Sequence, residues 1–418
     1  MSQREWQRIK VIENAVEGRV TVQEAAELLQ ISERQVKRLK KKHDGSNLQW
    51  VYHGNRGQRP VNAITECIRQ QVIEFASGKY ADFNDAHLHE KLTQTEGLKL
   101  SRQSVRRILR QAKIASPQKR RPPKYRSRRE RRAQEGMMLL VDASRHDWLE
   151  GRGPYLTLFG LVDDATSRVA AAHFQLEHED AVGYLRLFRS QVEQHGIPLS
   201  VYRDQHGSLQ RNDPHWSLEE QLAGRQFPTQ VGRALEELGI EAIVARSPQA
   251  KGRMERTWRT FQDRLVSELR LAAACTLEEA NRVLECFLGA YNQQFSRSAA
   301  RAGVAYRKLD RRLDLNYIFS LRYERSVGHD HVINAIPGVK IQLPPLANGR
   351  GYAGKKVEVC QQPNGDFHIY LDRRLLSVEP APAHAGPVRA HRFRRSNAPR
   401  KKKPVRIYKL PGAIYRRG

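Results

Sequence analysis

Apolar residues recur with two different periods along this chain, and these periods divide it into helical and strand-rich stretches. Between residues 136 and 300, short apolar runs predict strands, and longer runs with a spacing of three and four predict helices. The predicted strands cover residues 137–142, 155–162, 168–174, 199–202 and 240–245. The predicted helices cover residues 179–194, 229–238, 253–270 and 277–295. Three successive strands followed by alternating helices and strands predict a mixed sheet with helices on both faces.

Residues 1–45 have the pattern of a helix-turn-helix unit. Helical spacing over 20–30 is followed by a turn in which Ser32 can cap a second helix over 33–42. This second helix turns Val36 and Leu39 inward and is otherwise strongly basic, so we expect it to enter a DNA groove. A charged helical hairpin is the alternative interpretation. The residues expected to contact DNA are Arg34, Lys37, Arg38 and Lys41.

Residues 58–114 predict a second helical unit that binds DNA. Helical spacing covers 62–75, 83–92 and 101–113, with Ser101 as the cap of the last helix. The apolar residues of this helix form an inner face, and its polar residues point outward, as in a recognition helix. The outward residues are Arg102, Gln103, Arg106, Arg107 and Arg110.

The remaining stretches are a linker, a small β-domain and a tail. Residues 115–135 are rich in Lys, Arg and Pro and predict a basic linker that follows phosphates. Residues 321–379 turn to short strands separated by turn residues, which predicts an SH3-like β-barrel. Its strands are expected at 332–335, 339–343, 356–361, 367–371 and 375–378. Residues 380–418 form a basic tail without any acid.

The charge of the chain points to a polyanionic partner. Lys and Arg number 73 against 45 Asp and Glu, which gives a formal net charge of +28. Nucleic acid fits this excess better than a membrane surface, because no basic amphipathic helix has the character that would favour lipid. No apolar run approaches membrane-spanning length, so we expect a cytoplasmic, nucleoid-associated protein. The four cysteines form no C-x-x-C pair, so we expect neither structural zinc nor a disulfide framework.

Three separated acids are the candidate catalytic residues. Asp142 and Asp204 end strand-like runs, and Glu255 lies on a predicted helix. The aspartates are 62 residues apart, from 142 to 204, which leaves room for two strands and a helix between them. Carboxylates that converge from strand ends and a helix can hold two divalent cations, the apparatus for cutting and rejoining phosphodiesters.

The helix that carries Glu255 has a clear inner face. Met254, Trp258, Phe261 and Leu265 recur at intervals of four, three and four, as in a helix packed on a core. Glu255 lies on a neighbouring face among basic residues. These surroundings are suitable for a carboxylate that faces metal ions and phosphate. The alternative is an ordinary surface salt bridge between Glu255 and a basic residue four positions away on the helix. The basic candidates for DNA contact beside it are Lys251, Arg253, Arg256 and Arg259.

Several strings around these acids resemble the DDE transposases of bacterial insertion sequences, whose catalytic core is similar to retroviral integrases. The matching strings are residues 140–142 (LVD), 162–168 (VDDATSR), 202–204 (YRD) and 247–256 (SPQAKGRMER). Residues 146–153 (HDWLEGRG) further resemble the ISNCY group. The resemblance implies a ribonuclease H-like core, for which the strand order above is also expected.

The same resemblance assigns roles. It implies that Asp142, Asp204 and Glu255 are catalytic ligands of two Mg²⁺ ions, with Mn²⁺ as a substitute. It implies that double-stranded DNA, as element ends and target, is the substrate, and that at least two copies act together. The expected activity is binding of terminal inverted repeats, metal-dependent 3′-end cleavage and strand transfer.

Two features around the acids have open interpretations. Many integrase cores have Asp-Asn-Gly at the second acid, whereas this chain has Gln205 and His206 between Asp204 and glycine. His206 is then either near the scissile phosphate or an ordinary surface histidine. Asp163 and Asp164 are expected to cap a tight turn between strands.

Other functions are compatible with parts of the pattern. A transposase-derived repressor that binds DNA without cutting it needs only the helical units and the tail. A nuclease of ribonuclease H type needs only the acids, but two DNA-binding helical units favour a defined DNA sequence. Serine and tyrosine recombinases are disfavoured, because no compact set of Arg, His and Tyr stands out.

Overall fold

The computed structural model describes residues 2–52, 55, 60, 63–117, 122, 129–176, 178–211, 213–245, 252–344, 351–382 and 387–391. The elements named below lie within these ranges. No helix among these residues has the length and apolar character needed to cross a bilayer.

The N-terminal unit consists of three helices around a small apolar core. These are α1 (Gln3–Val16), α2 (Val22–Leu29) and α3 (Glu33–Lys42). Ser32 caps α3 by accepting the backbone N–H of Gln35, and Gln30 takes the left-handed conformation that ends α2. Two predicted helices are therefore confirmed, whereas the apolar pattern did not locate α1. The core residues include Ile12, Ala15, Ala25, Val36 and Leu39.

The second helical unit contains α4 (Glu66–Ser77), α5 (Asp85–Gln94) and α6 (Arg102–Gln111). Ser101 caps α6 by accepting the backbone N–H of Ser104, as predicted. The three helices enclose one apolar cluster that includes Val72, Leu88, Leu92, Val105 and Ile108.

The central region is a five-stranded sheet with the order β3-β2-β1-β4-β5. Its strands are β1 (Leu139–His146), β2 (Leu156–Asp163), β3 (Val169–Leu176), β4 (Ser200–Arg203) and β5 (Glu241–Val244). β1, β2 and β3 pair antiparallel, whereas β4 lies parallel to both β1 and β5. The predicted mixed sheet is confirmed, with each strand within a few residues of its expected position.

Helices cover both faces of this sheet. α7 (Ala181–His195) and α9 (Gln230–Glu237) pack on the face that presents Val141. α10 (Gly252–Leu271) and α11 (Leu277–Phe295) pack on the opposite face, which presents Leu140. The short helix α8 (Leu218–Ala223) lies in the stretch between β4 and α9 and had no prediction.

The C-terminal β-domain is a sheet and a hairpin around a shared core. After α12 (Leu315–Ile318), the strands are β6 (Leu321–Ser326), β7 (Val332–Ile336), β8 (Val339–Gln342), β9 (Lys356–Gln361), β10 (Phe367–Leu371) and β11 (Arg374–Glu379). Four strands form a sheet of order β11-β10-β9-β6, and β7 pairs only with β8 in this part of the chain.

The predicted barrel is therefore not confirmed, since the sheet does not close among the residues that the structure describes. The five expected strands are all present, but β6 was not predicted. Ile333 and Ile341 of the hairpin pack against Val357 and Ile369 of the sheet, so both pieces share one core. Most of the predicted basic tail lies outside the described residues.

Candidate active site

Asp142 and Asp204 occupy matching positions on neighbouring parallel strands. In the β1–β4 ladder, Leu139 pairs with Val201 and Leu140 with Tyr202. Asp142 lies two residues beyond Leu140 in β1, and Asp204 lies two residues beyond Tyr202 and directly follows β4. Adjacent strands are about 4.8 Å apart, and residues two apart in a strand share a face. Both acids lie just beyond the paired part of these two strands, at its carboxyl edge, and Asp142 faces α10.

Helix α10 contacts this edge through a tryptophan. The indole N–H of Trp258 donates a hydrogen bond of 2.9 Å to Oδ2 of Asp142. Glu255 precedes Trp258 by three residues, and residues three apart are neighbours on a helix surface. The side chain of Glu255 is exposed, at the start of the helix. The structure therefore ties the helix that carries Glu255 to Asp142.

The three acids carry the kind of ligand atom that a hard divalent cation binds. Asp142 and Asp204 supply the carboxylate oxygens that such ions prefer, and exposed Glu255 is a third donor one helical turn from the Asp142 contact. As they stand, no three His, Cys, Asp or Glu side chains of the described residues are grouped closely enough to hold a metal ion. Asp142 and Asp204 thus lie beyond paired positions of neighbouring strands, whereas Glu255 is exposed on α10.

A fourth carboxylate at this edge was missed by the sequence analysis. Glu179 directly precedes the N-cap of α7, and its Oε1 accepts a 2.5 Å hydrogen bond from the hydroxyl of Tyr184. His206 Nδ1 lies 2.9 Å from the same oxygen, and the His206 backbone N–H donates to Oδ1 of Asp204 at 3.0 Å. His206 is thus a half-buried neighbour of Asp204 rather than an isolated surface histidine.

The electrostatics of Glu179 agree with this position. Burial raises the pKa of Glu179, and the negative charges of Asp204 and Asp142 act in the same direction. The hydrogen bond from Tyr184 and the charge of His206 lower the pKa of Glu179, but they offset only part of the effect. No sequence motif marks this residue, since it reads as the first polar residue of a helix.

Asp163 caps the turn between β2 and β3, as predicted. Its carboxylate accepts hydrogen bonds from the backbone N–H and hydroxyl of Thr166, each 2.8 Å long, and from the backbone N–H of Gly136 at 2.9 Å. Burial raises the pKa of Asp163 although these three hydrogen bonds oppose the rise. The carboxylate therefore fixes the β2–β3 turn rather than facing solvent.

Asp164 holds the linker and the first turn of α10 together. It is fully buried, and its carboxylate binds the guanidinium groups of Arg129 and Arg253 and the backbone N–H of Arg132. Arg253 also donates to the backbone carbonyl of Arg129 at 2.5 Å. Burial raises the pKa of Asp164, but its cationic partners and hydrogen bonds lower it below the ordinary value.

These contacts bear on the DNA-binding residues expected around Glu255. The guanidinium of Arg253 is committed to Asp164 and only 16% exposed, so the structure gives this side chain an internal role instead of a free surface. Arg256 and Arg259 are exposed on α10. Lys251 and the preceding residues 246–250 lie outside the described residues.

The two predicted recognition helices present most of their expected residues to solvent. Arg34, Lys37, Arg38 and Lys41 are all exposed on α3. On α6, Arg102, Gln103, Arg106 and Arg107 are exposed. Arg110 differs, because it is half-buried and donates to Oδ2 of Asp85 at 2.6 Å and to the backbone carbonyl of Ile114 at 2.7 Å.

The second helical unit docks on α10, the helix that carries Glu255. Glu268 of α10 binds His87 at 2.7 Å and Lys91 at 2.8 Å, both on α5. Arg264 of α10 donates to both carboxylate oxygens of Glu90, at 2.6 and 3.1 Å. These polar pairs join a predicted DNA-binding unit directly to the candidate active site.

Comparisons with known proteins agree with this picture. No protein-family model matches the chain. Over 376 residues the chain is 33% identical to the putative transposase y4bF of Sinorhizobium fredii, covering 90% of this chain and 79% of that protein. Over 367 residues it is 29% identical to the transposase for insertion sequence IS1202 of Streptococcus pneumoniae, covering 79% of this chain and 76% of that protein. The chain therefore belongs to the insertion-sequence transposases.

Two solved viral structures were also matched. One is a chain of the simian T-cell lymphotropic virus intasome in complex with PP2A regulatory subunit B56 gamma, with 15% identity, a TM-score of 0.31, and coverage of 74% of this chain and 96% of that chain. The other is the HTLV-2 integrase catalytic core domain in complex with magnesium, in a dimeric form. It has 16% identity, a TM-score of 0.29, and coverage of 40% of this chain and 94% of that chain.

Proposed function

We propose that this transposase binds the terminal inverted repeats of an insertion sequence and catalyses 3′-end cleavage and strand transfer into target DNA. The observation that carries the proposal is the register of β1 and β4, in which Asp142 and Asp204 each lie two residues beyond a paired position. The hydrogen bond from Trp258 to Asp142 ties the same helix, and with it Glu255, to that edge.

The three acids have separate roles in this proposal. Asp142 and Asp204 are short side chains fixed on strands, and they form the rigid half of a cation site. Glu255 is longer and starts a helix, so it reaches the site from the side of the bound DNA. Two Mg²⁺ ions, or Mn²⁺ in their place, supply stabilisation of the attacking and leaving oxygens of an in-line displacement.

Binding of double-stranded DNA is assigned to the exposed faces of α3 and α6, with Arg256 and Arg259 beside the acids. Arginine contacts phosphate oxygens in a bidentate manner, and it keeps its charge at any physiological pH. The proposal includes action in the cytoplasm on the bacterial nucleoid. It also includes at least two copies of the chain, since two element ends must be brought together before strand transfer.

The test uses double-stranded oligonucleotides from the sequences that flank the gene, with Mg²⁺ and a label that reports 3′-end nicks. We expect the wild type to nick these ends. Asp142→Asn, Asp204→Asn and Glu255→Gln should each lower the rate by at least about 10³-fold, as expected for groups that act as a unit. End binding should change little.

Glu285→Gln is the matched control, because it removes an exposed acid from the neighbouring helix α11. This control should nick DNA at the wild-type rate. Nicking that survives in all three acid variants contradicts the proposal. A wild type that binds the ends and cuts them with neither Mg²⁺ nor Mn²⁺ indicates a DNA-binding repressor instead.

A further inference from the structure

The contact between α10 and β1 depends on a specific pair of residues. Trp258 is 7% exposed, and its N–H points at Oδ2 of Asp142 across a distance of 2.9 Å. An indole nitrogen is a donor only, so the hydrogen bond runs from Trp258 to the Asp142 side chain. Hydrogen bonds to charged acceptors are about twice as strong as neutral ones.

A glycine on the neighbouring strand makes room for the indole ring. Gly160 of β2 is the cross-strand partner of Asp142. A Cβ at Gly160 would lie 2.7 Å from Cη2 of Trp258, well inside the distance of ordinary contact. The ring therefore lies directly over the one position in β2 that faces Asp142, and any side chain at that position displaces it.

The far side of the ring is held by an aromatic cluster. Trp258 packs edge-on against Phe261 with ring centroids 5.7 Å apart. Phe261 in turn packs against Phe287 and Tyr291 of α11. Because protein interiors are close-packed, a ring confined on both sides has a single position, and its N–H has a single direction.

We propose that Trp258, seated on Gly160, is a positioning residue that orients the carboxylate of Asp142 for cation binding. This inference rests on the proposed function, since it assigns Trp258 a role toward the cation that the acids bind. Carboxylates that bind metals are commonly held by a further hydrogen bond, and loss of such partners costs about 10–100-fold in metal affinity. Trp258 also fixes the helical turn next to Glu255.

The test measures Mn²⁺ binding to the full-length protein without DNA, from the paramagnetic resonance signal of the free ion. Trp258→Phe keeps an aromatic ring and removes the N–H, so we expect Mn²⁺ affinity to fall by about 10-fold or more. Trp148→Phe is the matched control. Trp148 is also buried, belongs to the same apolar cluster, and donates its N–H to the backbone carbonyl of Ser144 instead of to an acid.

Gly160→Ala provides a second, independent variant. It leaves the indole intact but displaces the ring, so we expect the same direction of effect on Mn²⁺ binding as in Trp258→Phe. Gly289→Ala is its control, since a Cβ at Gly289 of α11 meets nothing within 4 Å. Circular dichroism of each variant reports whether the fold persists, and both controls should bind Mn²⁺ within about twofold of wild type.

The outcomes separate this inference from the proposed function. Weaker Mn²⁺ binding in Trp258→Phe and Gly160→Ala, with both controls unchanged, supports the positioning role. Wild-type affinity in Trp258→Phe, or an equal loss in Trp148→Phe, overturns it. If Asp142→Asn itself binds Mn²⁺ as the wild type does, the failure lies in the proposed metal site and removes the basis of both.

Discussion

Arg253 shows at the scale of single residues how a basic side chain in a basic chain can serve the fold. It lies in the string that resembles transposase motifs, and its charge alone favoured DNA contact. Its guanidinium binds the fully buried carboxylate of Asp164, which a protein interior tolerates only when the charge is paired. Sequence patterns do not reveal such a pair, because its members are 89 residues apart.

Arg253→Ala is therefore expected to affect stability more than DNA binding. Loss of one cation leaves Asp164 with Arg129 and the Arg132 N–H, so we expect unfolding in urea to become easier by about 1–3 kcal/mol. Arg259→Ala, which changes an exposed residue on the same helix, should alter stability by less than about 0.5 kcal/mol. The reverse ranking of the two variants would count against an internal role for Arg253.

The candidate active site was partly predictable at this scale. Asp142 and Asp204 were predicted because each acid ends an apolar run. Asp204 does follow β4, whereas β1 continues past Asp142 to His146. Trp258 was read as a core residue, since helical periodicity treats its indole as apolar and does not register the N–H. Glu179 was missed because its partners, Tyr184 and His206, come together only in the folded chain.

At the scale of elements, the apolar pattern of α6 predicted its buried face but not the contacts of its outer face. Val105, Ile108 and Leu109 predicted its inner face, and all three are buried. The outer face was treated as uniform, yet Arg110 binds Asp85 of α5 and Arg107 is exposed. Periodicity assigns a residue to a face of its own helix, but it does not show which neighbouring element carries a counter-charge.

Two arginine variants of α6 test this distinction. Arg107→Ala should weaken binding to the element ends and reduce the slope of log affinity against log salt by about 1, the effect of one lost phosphate contact. Arg110→Ala should leave that slope nearly unchanged and lower the stability of the helical unit, since it removes the nearer of the two arginines that pair with Asp85. The comparison uses the same DNA at several salt concentrations. A larger change of slope in Arg110→Ala contradicts the assignment.

The C-terminal strands show a second limit at this scale. Five strands were predicted from turn residues and apolar alternation, but β6 was not. β6 pairs with β9, and its Leu321 and Tyr323 pack into the core on the α7 face of the central sheet. The short alternation of apolar residues in β6 does not reveal that they pack into the core of the central region. The sequence therefore did not predict this contact between the β-domain and the central region.

At the scale of the whole molecule, α5 of the second helical unit docks on α10, the helix that carries Glu255. Arg264 pairs with Glu90, and Glu268 binds His87 and Lys91. Charged residues on a helix usually indicate a solvent-exposed face. The sequence therefore predicted the second helical unit and the central region as separate units, without an interface between them. In the proposed function, this interface sets the distance between an element end bound by α6 and the acids.

The interface should weaken in acid. Burial raises the pKa of Glu268, but hydrogen bonds from His87 and Lys91 lower it by more, so its pKa lies below the ordinary value of 4.5. A carboxylate with a depressed pKa in the folded state adds stability that is complete above the unfolded value. That stability is lost as pH falls through the folded pKa.

Glu268→Gln tests this dependence. It removes the titrating group, so the variant should be less stable than wild type at pH 6, and its stability should fall less steeply below pH 4.5. The measurement is the free energy of unfolding in urea at a series of pH values. Parallel pH profiles for the two proteins would show that Glu268 does not contribute the stability assigned to it.

The central claim is that Asp142, Asp204 and Glu255 bind the same cations. Fe²⁺ in place of Mg²⁺, with ascorbate, generates radicals that cut the polypeptide next to a bound ion. We expect cuts near residues 142, 204 and 255 in the wild type, and a joint loss of all three in Asp142→Asn. Cuts near only one of these residues, or a pattern that Asp142→Asn leaves unchanged, would contradict it.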